Sequence, residues 1–143
     1  MRVLIDTNVL IDHIAQREPF CQNARKIILA CAKKTLSGCM TAQSVADAYY
    51  ILRKNVDESE RRRILLYLCN ILTVMSVRKS GLVSALQNKA FSDFEDCLQS
   101  GCAAAFHADY IITRNEKDFA VSPIPAISPE TFCKHFLTEG KVL

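Results

Sequence analysis

The order of apolar and polar residues near the N-terminus predicts a strand that is followed directly by a helix. Residues 3–5 are Val-Leu-Ile, an uninterrupted run of β-formers that is typical of a strand buried on both faces. The polar residues Asp6, Thr7 and Asn8 come next, and apolar residues then recur with helical spacing. We therefore predict a helix that runs to about Ala15.

The same alternation continues along the rest of the chain. Further strands are predicted over residues 35–40, 73–77, 109–113 and 124–127, and prolines at 123 and 125 restrict the last one to a short edge strand. Helices are predicted from Pro19, from Ala42 to about Arg53, from Asp57, after the turn at 79–81, from Ser92 or Asp93 to about Phe106, and from Ser128 to about Leu137. We expect the buried face of the fifth helix to consist of Leu82, Val83, Leu86 and Ala90. Strands that alternate with helices indicate an α/β fold, in which a parallel sheet of four to five strands has helices on both faces.

Length and composition indicate one globular domain. The chain has 143 residues, 50% of which are hydrophobic, and no change in composition marks a domain boundary. We predict a single domain over residues 1–137 and a short tail over residues 138–143. The formal net charge of +3 permits a polyanionic partner but does not by itself identify one.

Several features of the sequence favour a cytoplasmic protein. The N-terminus leads into the first strand without the pattern of a signal peptide, and no apolar run reaches the ~18 residues of a membrane span. The seven cysteines are odd in number and form no Cys-x-x-Cys pair, so we interpret them as reduced residues rather than as disulfides or a zinc site. Neither a Rossmann glycine fingerprint nor a phosphate-binding P-loop is present in the sequence.

Carboxylates follow or flank the C-terminal ends of several predicted strands. Asp6 comes directly after the first strand, and Asn115 and Asp118 follow the fourth. In open α/β sheets this edge is where ligands bind. Asp6 and Asn8 could instead serve only as helix caps, and the residues after the fourth strand could form a solvated loop.

Further acids lie within predicted helices. Asp47 lies inside the third helix, where aspartate is unfavourable, so it either turns to solvent or reaches over the edge of the sheet. Asp93 and Asp96 share one face at the start of the sixth helix. We expect Asp93 to cap this helix and Asp96 to reach the site.

A cluster of carboxylates is favourable when it binds a cation, because like charges brought together repel and raise one another's pKa. Mg²⁺ prefers oxygen ligands, and one or two such ions can activate water and support a phosphoryl displacement. We therefore predict a divalent metal site at this edge of the sheet. The three histidines are scattered, and we interpret all of them as structural: His13, His107 and His135.

Four segments of the chain together resemble PIN-domain nucleases, in particular the VapC-type toxins of bacterial type II toxin–antitoxin pairs. The segments are Val-Leu-Ile-Asp-Thr-Asn at 3–8, Thr-x-x-Ser-x-Ala-Asp at 41–47, Asp-Phe-Glu-Asp-Cys-Leu-Gln at 93–99 and Ala-Asp-Tyr-Ile-Ile-Thr-Arg-Asn-Glu-Lys-Asp-Phe at 108–119. Each segment alone is a weak signal, but their order and spacing agree across nearly the whole chain.

The resemblance implies an α/β/α sandwich and an endoribonuclease that cleaves RNA with a metal-bound water. It also implies one or two Mg²⁺ or Mn²⁺ ions, a homodimer, and a small antitoxin protein that covers the site. The catalytic residues are then predicted to be Asp6, Asp47 and Asp96. The metal ligands are predicted to be these three acids, with Asp6 and Asp96 as the principal ones, together with Asn115 and Asp118. Residues that orient ligands or substrate are predicted to be Thr7, Asn8, Asp93, Thr113 and Arg114.

Two positions depart from the commonest pattern of the family. The middle acid is often glutamate, whereas here it is Asp47, which is one methylene shorter and is expected to reach the metal through a water. The position after Thr113 and Arg114 often carries an aspartate. Here Asn115 keeps an oxygen ligand without the charge, which Asp118 is expected to supply from the next turn.

Other functions are weighed against the nuclease. A haloacid-dehalogenase-type phosphatase also begins with a strand and an aspartate, but it needs a second acid two residues later, where this chain has Asn8. A PIN-like scaffold that binds RNA or protein without cutting stays open because of the departures at Asp47 and Asn115. A basic cluster over residues 53–63 is either a solvated face or a contact for RNA or antitoxin, whereas Arg114 is expected to contact RNA and leave the fold unaffected when replaced.

Overall fold

A computed structural model describes residues 1–138, and this part of the chain contains a five-stranded sheet. The strands are β1 (Arg2–Ile5), β2 (Ser37–Thr41), β3 (Thr73–Met75), β4 (Tyr110–Ile112) and β5 (Ala126–Ile127). Neighbouring strands are all parallel, and their order across the sheet is β3-β2-β1-β4-β5. The predicted parallel sheet is confirmed. Of the predicted tail over 138–143, only Thr138 lies within the described residues.

Seven helices of the described chain connect and flank the strands. They are α1 (Thr7–Ile14), α2 (Cys21–Ala32), α3 (Ala42–Ile51), α4 (Glu58–Ile71), α5 (Lys79–Gln87), α6 (Phe94–Ala105) and α7 (Pro129–Phe136), with single 3-10 turns at Leu52–Lys54 and Glu116–Phe119. The predicted start of the second helix at Pro19 is wrong. A turn closed by the Phe20 N–H and the Arg17 carbonyl precedes α2, which begins at Cys21. No helix among residues 1–138 is long and apolar enough to cross a membrane.

Helices cover both faces of the sheet, so the fold is an α/β/α sandwich. On one face, α1, α2, α3, α4 and α7 pack over a core that includes Val3 and Ile5. On the other face, α6 packs over Leu4, and α5 packs against α6. Successive residues of a strand point to opposite faces, so both cores require apolar residues from β1. This requirement explains the uninterrupted apolar run at residues 3–5.

The apolar face of α5 is largely exposed. The side chains of Leu82 and Val83 are each 40% exposed, Leu86 is 67% exposed, and the helix buries only Ala85. The prediction that Leu82, Val83 and Leu86 form a buried face is therefore wrong, and Ala90 lies beyond the end of the helix. The physical reason is that α5 packs against α6 through a small residue and leaves its larger apolar side chains outside.

The order of the strands reverses at β1. The chain runs outward through β2 and β3 on one side of β1, and through β4 and β5 on the other. In such sheets the ligand crevice lies outside the carboxyl ends of the two strands at the reversal. Here the Asp6 N–H donates to the Ile112 carbonyl at 3.0 Å, directly after both strands. Asp6 and Thr113 therefore leave the sheet side by side at this crevice.

A candidate acidic site at the ends of β1 and β4

Asp6 is a buried carboxylate that is held by four hydrogen-bond donors. It is 6% exposed and is the N-cap residue of α1. Its Oδ1 accepts hydrogen bonds from the Thr7 N–H at 2.7 Å and from Gln99 Nε2 at 2.6 Å. Its Oδ2 accepts from the Thr113 hydroxyl at 2.8 Å and from Asn8 Nδ2 at 3.3 Å. The donors engage both oxygens and fix the side chain in one position.

The charge of Asp6 is solvated by these dipoles and not by a cationic side chain. Burial raises the pKa of Asp6 above its ordinary value of 3.8, and hydrogen bonds from Thr113 and Thr7 partly oppose this. The negative charges of Asp118 and Asp93 raise the pKa further. Within residues 1–138, Asp6 forms no ion pair. An unneutralised carboxylate at the crevice is therefore the central feature of the site.

Thr113, the residue after β4, is fully buried and connects Asp6 to the following loop. Because its hydroxyl donates to Asp6, its oxygen can accept from the Asn115 N–H at 3.0 Å and from Asn8 Nδ2 at 3.4 Å. The side-chain oxygen of Asn8 in turn accepts the Arg114 N–H at 3.4 Å. These contacts attach the loop after β4 to the start of α1.

Thr7 connects the site to α3. The hydroxyl oxygens of Thr7 and Ser44 lie 2.7 Å apart, and Ser44 is buried in the first turn of α3. Thr41, the N-cap residue of this helix, accepts the Ser44 N–H at 2.9 Å and donates to the Ser44 hydroxyl at 3.0 Å. The start of α3 is thus fixed against α1. Asp47 lies three residues after Ser44, on the same side of the helix.

Asp47 is partly buried at the margin of the site. It accepts a hydrogen bond from Gln43 Nε2 at 3.0 Å and lines a small cavity of about 20 Å³ with Thr7 and Glu95. Burial raises the pKa of Glu95, and the charge of Asp47 is the next cause of this shift. The third and sixth helices therefore bring two carboxylates close together beside Asp6.

Asp93 and Asp96 occupy different environments at the start of α6. Asp93 is the exposed N-cap residue and accepts the Asp96 N–H at 3.0 Å, as predicted for a cap. Asp96 is partly buried. Burial, followed by the charges of Asp93 and Asp6, raises the pKa of Asp96 to about 7. Both acids of this pair therefore lie within electrostatic reach of Asp6, and Asp96 is the more buried of the two.

Asn115 and Asp118 are exposed at the same edge of the sheet. Asn115 precedes the 3-10 turn at Glu116–Phe119, and its carbonyl accepts the Asp118 N–H at 3.0 Å. The charge of Asp118 raises the pKa of both Asp6 and Asp96, so this carboxylate lies within electrostatic reach of the two acids.

Arg114 is held by a second buried carboxylate, Asp12 of α1. Asp12 is fully buried and accepts hydrogen bonds from Arg114 Nε at 2.6 Å and from Arg114 Nη2 at 3.2 Å. The Cζ atom of Arg114 also lies 4.0 Å from the centroid of the Phe20 ring. The guanidinium of Arg114 thus neutralises a buried charge, which argues against the expectation that Arg114 can be replaced without affecting the fold.

The acids surround the crevice without forming a ready metal cage. Within residues 1–138, no three Asp, Glu, His or Cys side chains are arranged so that they could hold a metal ion. The available donors are nevertheless carboxylate and amide oxygens, which suit a hard divalent cation. The buried Oε1 of Gln99 also has no hydrogen-bond partner among these residues. The donor chemistry fits Mg²⁺ or Mn²⁺, and the outer acids would have to turn inward to share an ion with Asp6.

Three residues near the site, namely Asp12, Glu95 and Gln99, were not identified as candidates from the sequence. Gln99 follows Asp96 by three residues and therefore shares its helical face, which is a signal that the sequence does contain. Asp12 interrupts an apolar helical stretch, and an acid on such a face indicates a buried partner. The identity of that partner, 102 residues away, follows only from the structure.

The basic cluster over residues 53–63 is largely engaged by its own surroundings. Arg62 pairs with Glu58, and Arg63 pairs with Glu60, both on the exposed side of α4. Arg61 donates to two backbone carbonyls instead. These contacts favour the interpretation of this cluster as a solvated face.

Comparison with known proteins gives one family and one fold. Residues 2–117 match the family model described as PIN domain. None of the curated proteins compared matches the sequence. The family model covers most of the chain, so the match does not depend on one short motif.

Solved structures with the same fold are similar over nearly the whole chain. A toxin–antitoxin complex from Klebsiella pneumoniae has a TM-score of 0.65 at 19% identity, covering 89% of this chain and 97% of that one. VapBC2 from Rickettsia felis, bound to a promoter DNA fragment, has a TM-score of 0.63 at 18% identity, covering 90% and 98%. FitAcB from Neisseria gonorrhoeae has a TM-score of 0.66 at 12% identity, covering 90% and 98%. At these identities the neighbours show the fold.

Replacing Arg114 should destabilise the protein strongly. Arg114→Ala leaves the buried Asp12 carboxylate without its counter-ion, which costs about 3 kcal/mol of unfolding free energy. Arg62→Ala is the matched control, because Arg62 and Glu58 form an exposed pair that contributes little. Urea denaturation measures both variants against the wild type. Equal stabilities of the two variants would contradict a structural role for the Asp12 pair.

Titration of Asp96 should affect the stability of the metal-free protein. The pKa of Asp96 is raised from 3.8 to about 7, so the folded protein binds this proton more tightly than the unfolded chain. The stabilisation is complete below pH 3.8 and is lost as the pH rises through about 7. Asp96→Asn should remove this loss and raise stability above that pH by on the order of 1 kcal/mol.

Melting temperatures of the wild type and Asp96→Asn in EDTA, compared across this pH range, isolate the contribution of Asp96. Other groups, such as His13, whose pKa is lowered by burial, titrate in both proteins and cancel in the difference. Parallel profiles for the two proteins would show that Asp96 does not carry this proton.

Proposed function

Because the chain belongs to the PIN domain family, we propose that it is a metal-dependent endoribonuclease, the VapC-type toxin of a toxin–antitoxin pair. One observation carries the proposal. The carboxylate of Asp6 is buried at the strand reversal without a cationic partner among residues 1–138. The charge of Asp118 raises its pKa, and the charge of Asp6 in turn raises the pKa of Asp96. Such an arrangement is stabilised by a bound cation.

The proposed cofactor is Mg²⁺ or Mn²⁺, as one or two ions. The residues that would hold it are Asp6, Asp96, Asp47, Asn115 and Asp118, with Asp6, Asp47 and Asp96 as the catalytic acids. A bound divalent ion would lower the pKa of a water molecule and stabilise the charge that develops on the scissile phosphate. Oxygen donors of this kind are the ligands that both ions prefer.

The remaining residues of the site position these donors. Thr7, Asn8 and Thr113 hold the carboxylate of Asp6 in one orientation, which reduces the entropy lost when an ion binds. Asp93 fixes the start of α6 through its capping hydrogen bond and thereby places Asp96. Arg114 is anchored by Asp12 and therefore orders the loop that carries Asn115 and Asp118. We assign these residues orienting roles.

A basic groove beside the site supports RNA as the substrate. The groove lies between α2 and α7, has a volume of about 1360 Å³, and is lined by Lys26, Lys33 and Lys134 as well as by one acid, Glu130. None of these lysines forms an ion pair within residues 1–138. Arg114, in the loop that follows Thr113, lines one part of the groove, so the groove reaches the loop that carries Asn115 and Asp118. The positive charges of the lysines would attract the phosphate backbone of RNA along this groove.

An antitoxin partner and a cytoplasmic location belong to the same proposal. Structures of the same fold are described as a toxin–antitoxin complex and as VapBC2 bound to promoter DNA. We infer that a small antitoxin protein covers the acidic edge of this chain. Six of the seven cysteines are buried thiols, which suits a reducing compartment.

A catalytically weak or inactive scaffold that binds RNA or protein is the second candidate. The specific observation in its favour is the absence of an assembled group of three metal-binding side chains within residues 1–138. The two candidates differ in their response to metal ions, because a ligand that binds only the folded state raises the melting temperature.

Purified protein should cleave RNA in the presence of Mn²⁺ or Mg²⁺, and EDTA should abolish the cleavage. Asp6→Asn should lower the rate by about 100-fold or more, because it removes charge stabilisation worth several kcal/mol. Asp109→Asn is the control. Asp109 accepts a hydrogen bond from the Arg2 N–H at the amino ends of the strands, away from the acidic edge, so this variant should cleave RNA normally. The assay follows labelled RNAs of several classes on gels.

Expression of the chain in bacteria gives a second readout of the same proposal. The wild type should arrest growth, and Asp6→Asn should not. No cleavage of any RNA, together with no rise of the melting temperature in Mn²⁺, would contradict the nuclease and favour the scaffold.

We also propose that the protein is a homodimer, in which the exposed apolar face of α5 contacts a second copy. Leu86→Glu should weaken the dimer by at least about tenfold without loss of stability, since Leu86 is 67% exposed. Val121→Glu is the control, because Val121 is 53% exposed and precedes β5, whereas α5 follows β3 on the other side of the sheet. Sedimentation velocity measures both variants. A wild type that sediments as a monomer at micromolar concentration would refute the dimer.

A further inference from the structure

The amide of Gln99 has one satisfied end and one unsatisfied end. Gln99 lies on α6 and is 7% exposed. Its Nε2 donates to Asp6 Oδ1 at 2.6 Å and approaches the hydroxyl oxygen of Thr7 at 3.3 Å. Its Oε1 is buried and has no hydrogen-bond partner within residues 1–138. A buried acceptor without a partner costs about 1–3 kcal/mol, so the role of Gln99 is not accounted for by its contacts in this state.

The present orientation of the amide is the favourable one when no cation is bound. The NH₂ group places partial positive charge against the carboxylate of Asp6, whereas the reversed amide would place Oε1 against Oδ1. Two acceptor oxygens at that distance repel each other. The reversal becomes favourable only when a cation lies between them and binds both.

We propose that Gln99 is a ligand of the divalent cation at this site, and that its amide reverses on binding so that Oε1 replaces Nε2 beside Asp6. The inference rests on the proposed function, because it requires that a cation binds at Asp6. Amide oxygens are ordinary ligands of hard divalent ions. Gln99 is three residues after Asp96, so α6 directs both side chains to the same side.

This reversal matches the end of the amide that faces Asp6 to the charge at the site in each state. In the metal-free state, Nε2 offsets part of the charge of Asp6 and keeps the carboxylate ordered. In the metal-bound state, the cation takes over the charge of Asp6, and the oxygen of Gln99 gains the partner that it lacks. The small cavity that Gln99 lines with Asp47 and Glu95 gives the side chain a neighbouring space of about 20 Å³.

Mn²⁺ binding to the full chain, measured from the electron paramagnetic resonance signal of free Mn²⁺, tests the proposal without an activity assay. Gln99→Met keeps the length of the side chain and removes both polar atoms, and it should weaken Mn²⁺ binding by about tenfold or more. Gln99→Glu supplies an anionic oxygen and should bind Mn²⁺ at least as tightly as the wild type. Gln87→Met, at an exposed position on α5, is the control and should bind normally.

The two variants separate a ligand from a residue that only positions Asp6. If Gln99 acted only by donating a hydrogen bond, Gln99→Glu would fail as Gln99→Met does, because a carboxylate has no proton to donate. If Nε2 merely competed with the cation, Gln99→Met would bind Mn²⁺ more tightly. Either result overturns the proposal. If Gln99→Met does not fold, Gln99→Glu decides alone: tighter binding and a larger rise of the melting temperature in Mn²⁺ support the proposal, and weaker binding refutes it.

The wild type distinguishes failure of this inference from failure of the proposed function. A wild type that binds no Mn²⁺ overturns both. A wild type that binds Mn²⁺ as tightly as Gln99→Met leaves the metal site intact and removes Gln99 from it.

Discussion

The burial of the Asp6 carboxylate is the constraint on which the rest of the structure depends. A buried charge is unfavourable unless hydrogen bonds replace the water that it has lost, and here two of the four donors come from distant parts of the chain. Asn8 belongs to α1, Gln99 to α6, and Thr113 follows β4. The parallel sheet with its reversal at β1 brings these elements together. The contacts that make Asp6 tolerable are thus also contacts that join the elements of the fold.

The two buried carboxylates near the start of the chain are stabilised in different ways. Asp12 faces the full positive charge of Arg114, and this pair attaches the loop after β4 to α1. Asp6 is held only by dipoles, and its pKa stays raised. A paired carboxylate has little further affinity for a cation, whereas one that is solvated by dipoles and lies near Asp96 retains it. The first twelve residues therefore carry one acid that supports the fold, Asp12, and one that is suited to binding a cation, Asp6.

The sequence predicts most of the sheet and the position of its acidic edge. The run at residues 3–5 identifies β1, and a carboxylate directly after a parallel strand must lie at the carboxyl edge. Two kinds of feature do not follow from local pattern. The apolar stripe of α5 has helical spacing, but spacing does not tell whether Leu86 faces the core or another molecule. The partner of Arg114 and the contact of Gln99 with Asp6 depend on which distant elements the fold brings together.

The hydrogen bond between Thr113 and Asp6 joins residues that are 107 positions apart, and this separation matters during synthesis. Asp6 leaves the ribosome long before α6 and β4 exist, so a nascent chain carries the acid without the donors from Gln99 and Thr113. Contacts between residues so far apart in sequence form only after the intervening chain has emerged. For a protein whose proposed substrate is RNA, this order of assembly delays the formation of the site until after β4 has been translated. The four-donor cradle of Asp6 is therefore completed only on a chain that is nearly full length.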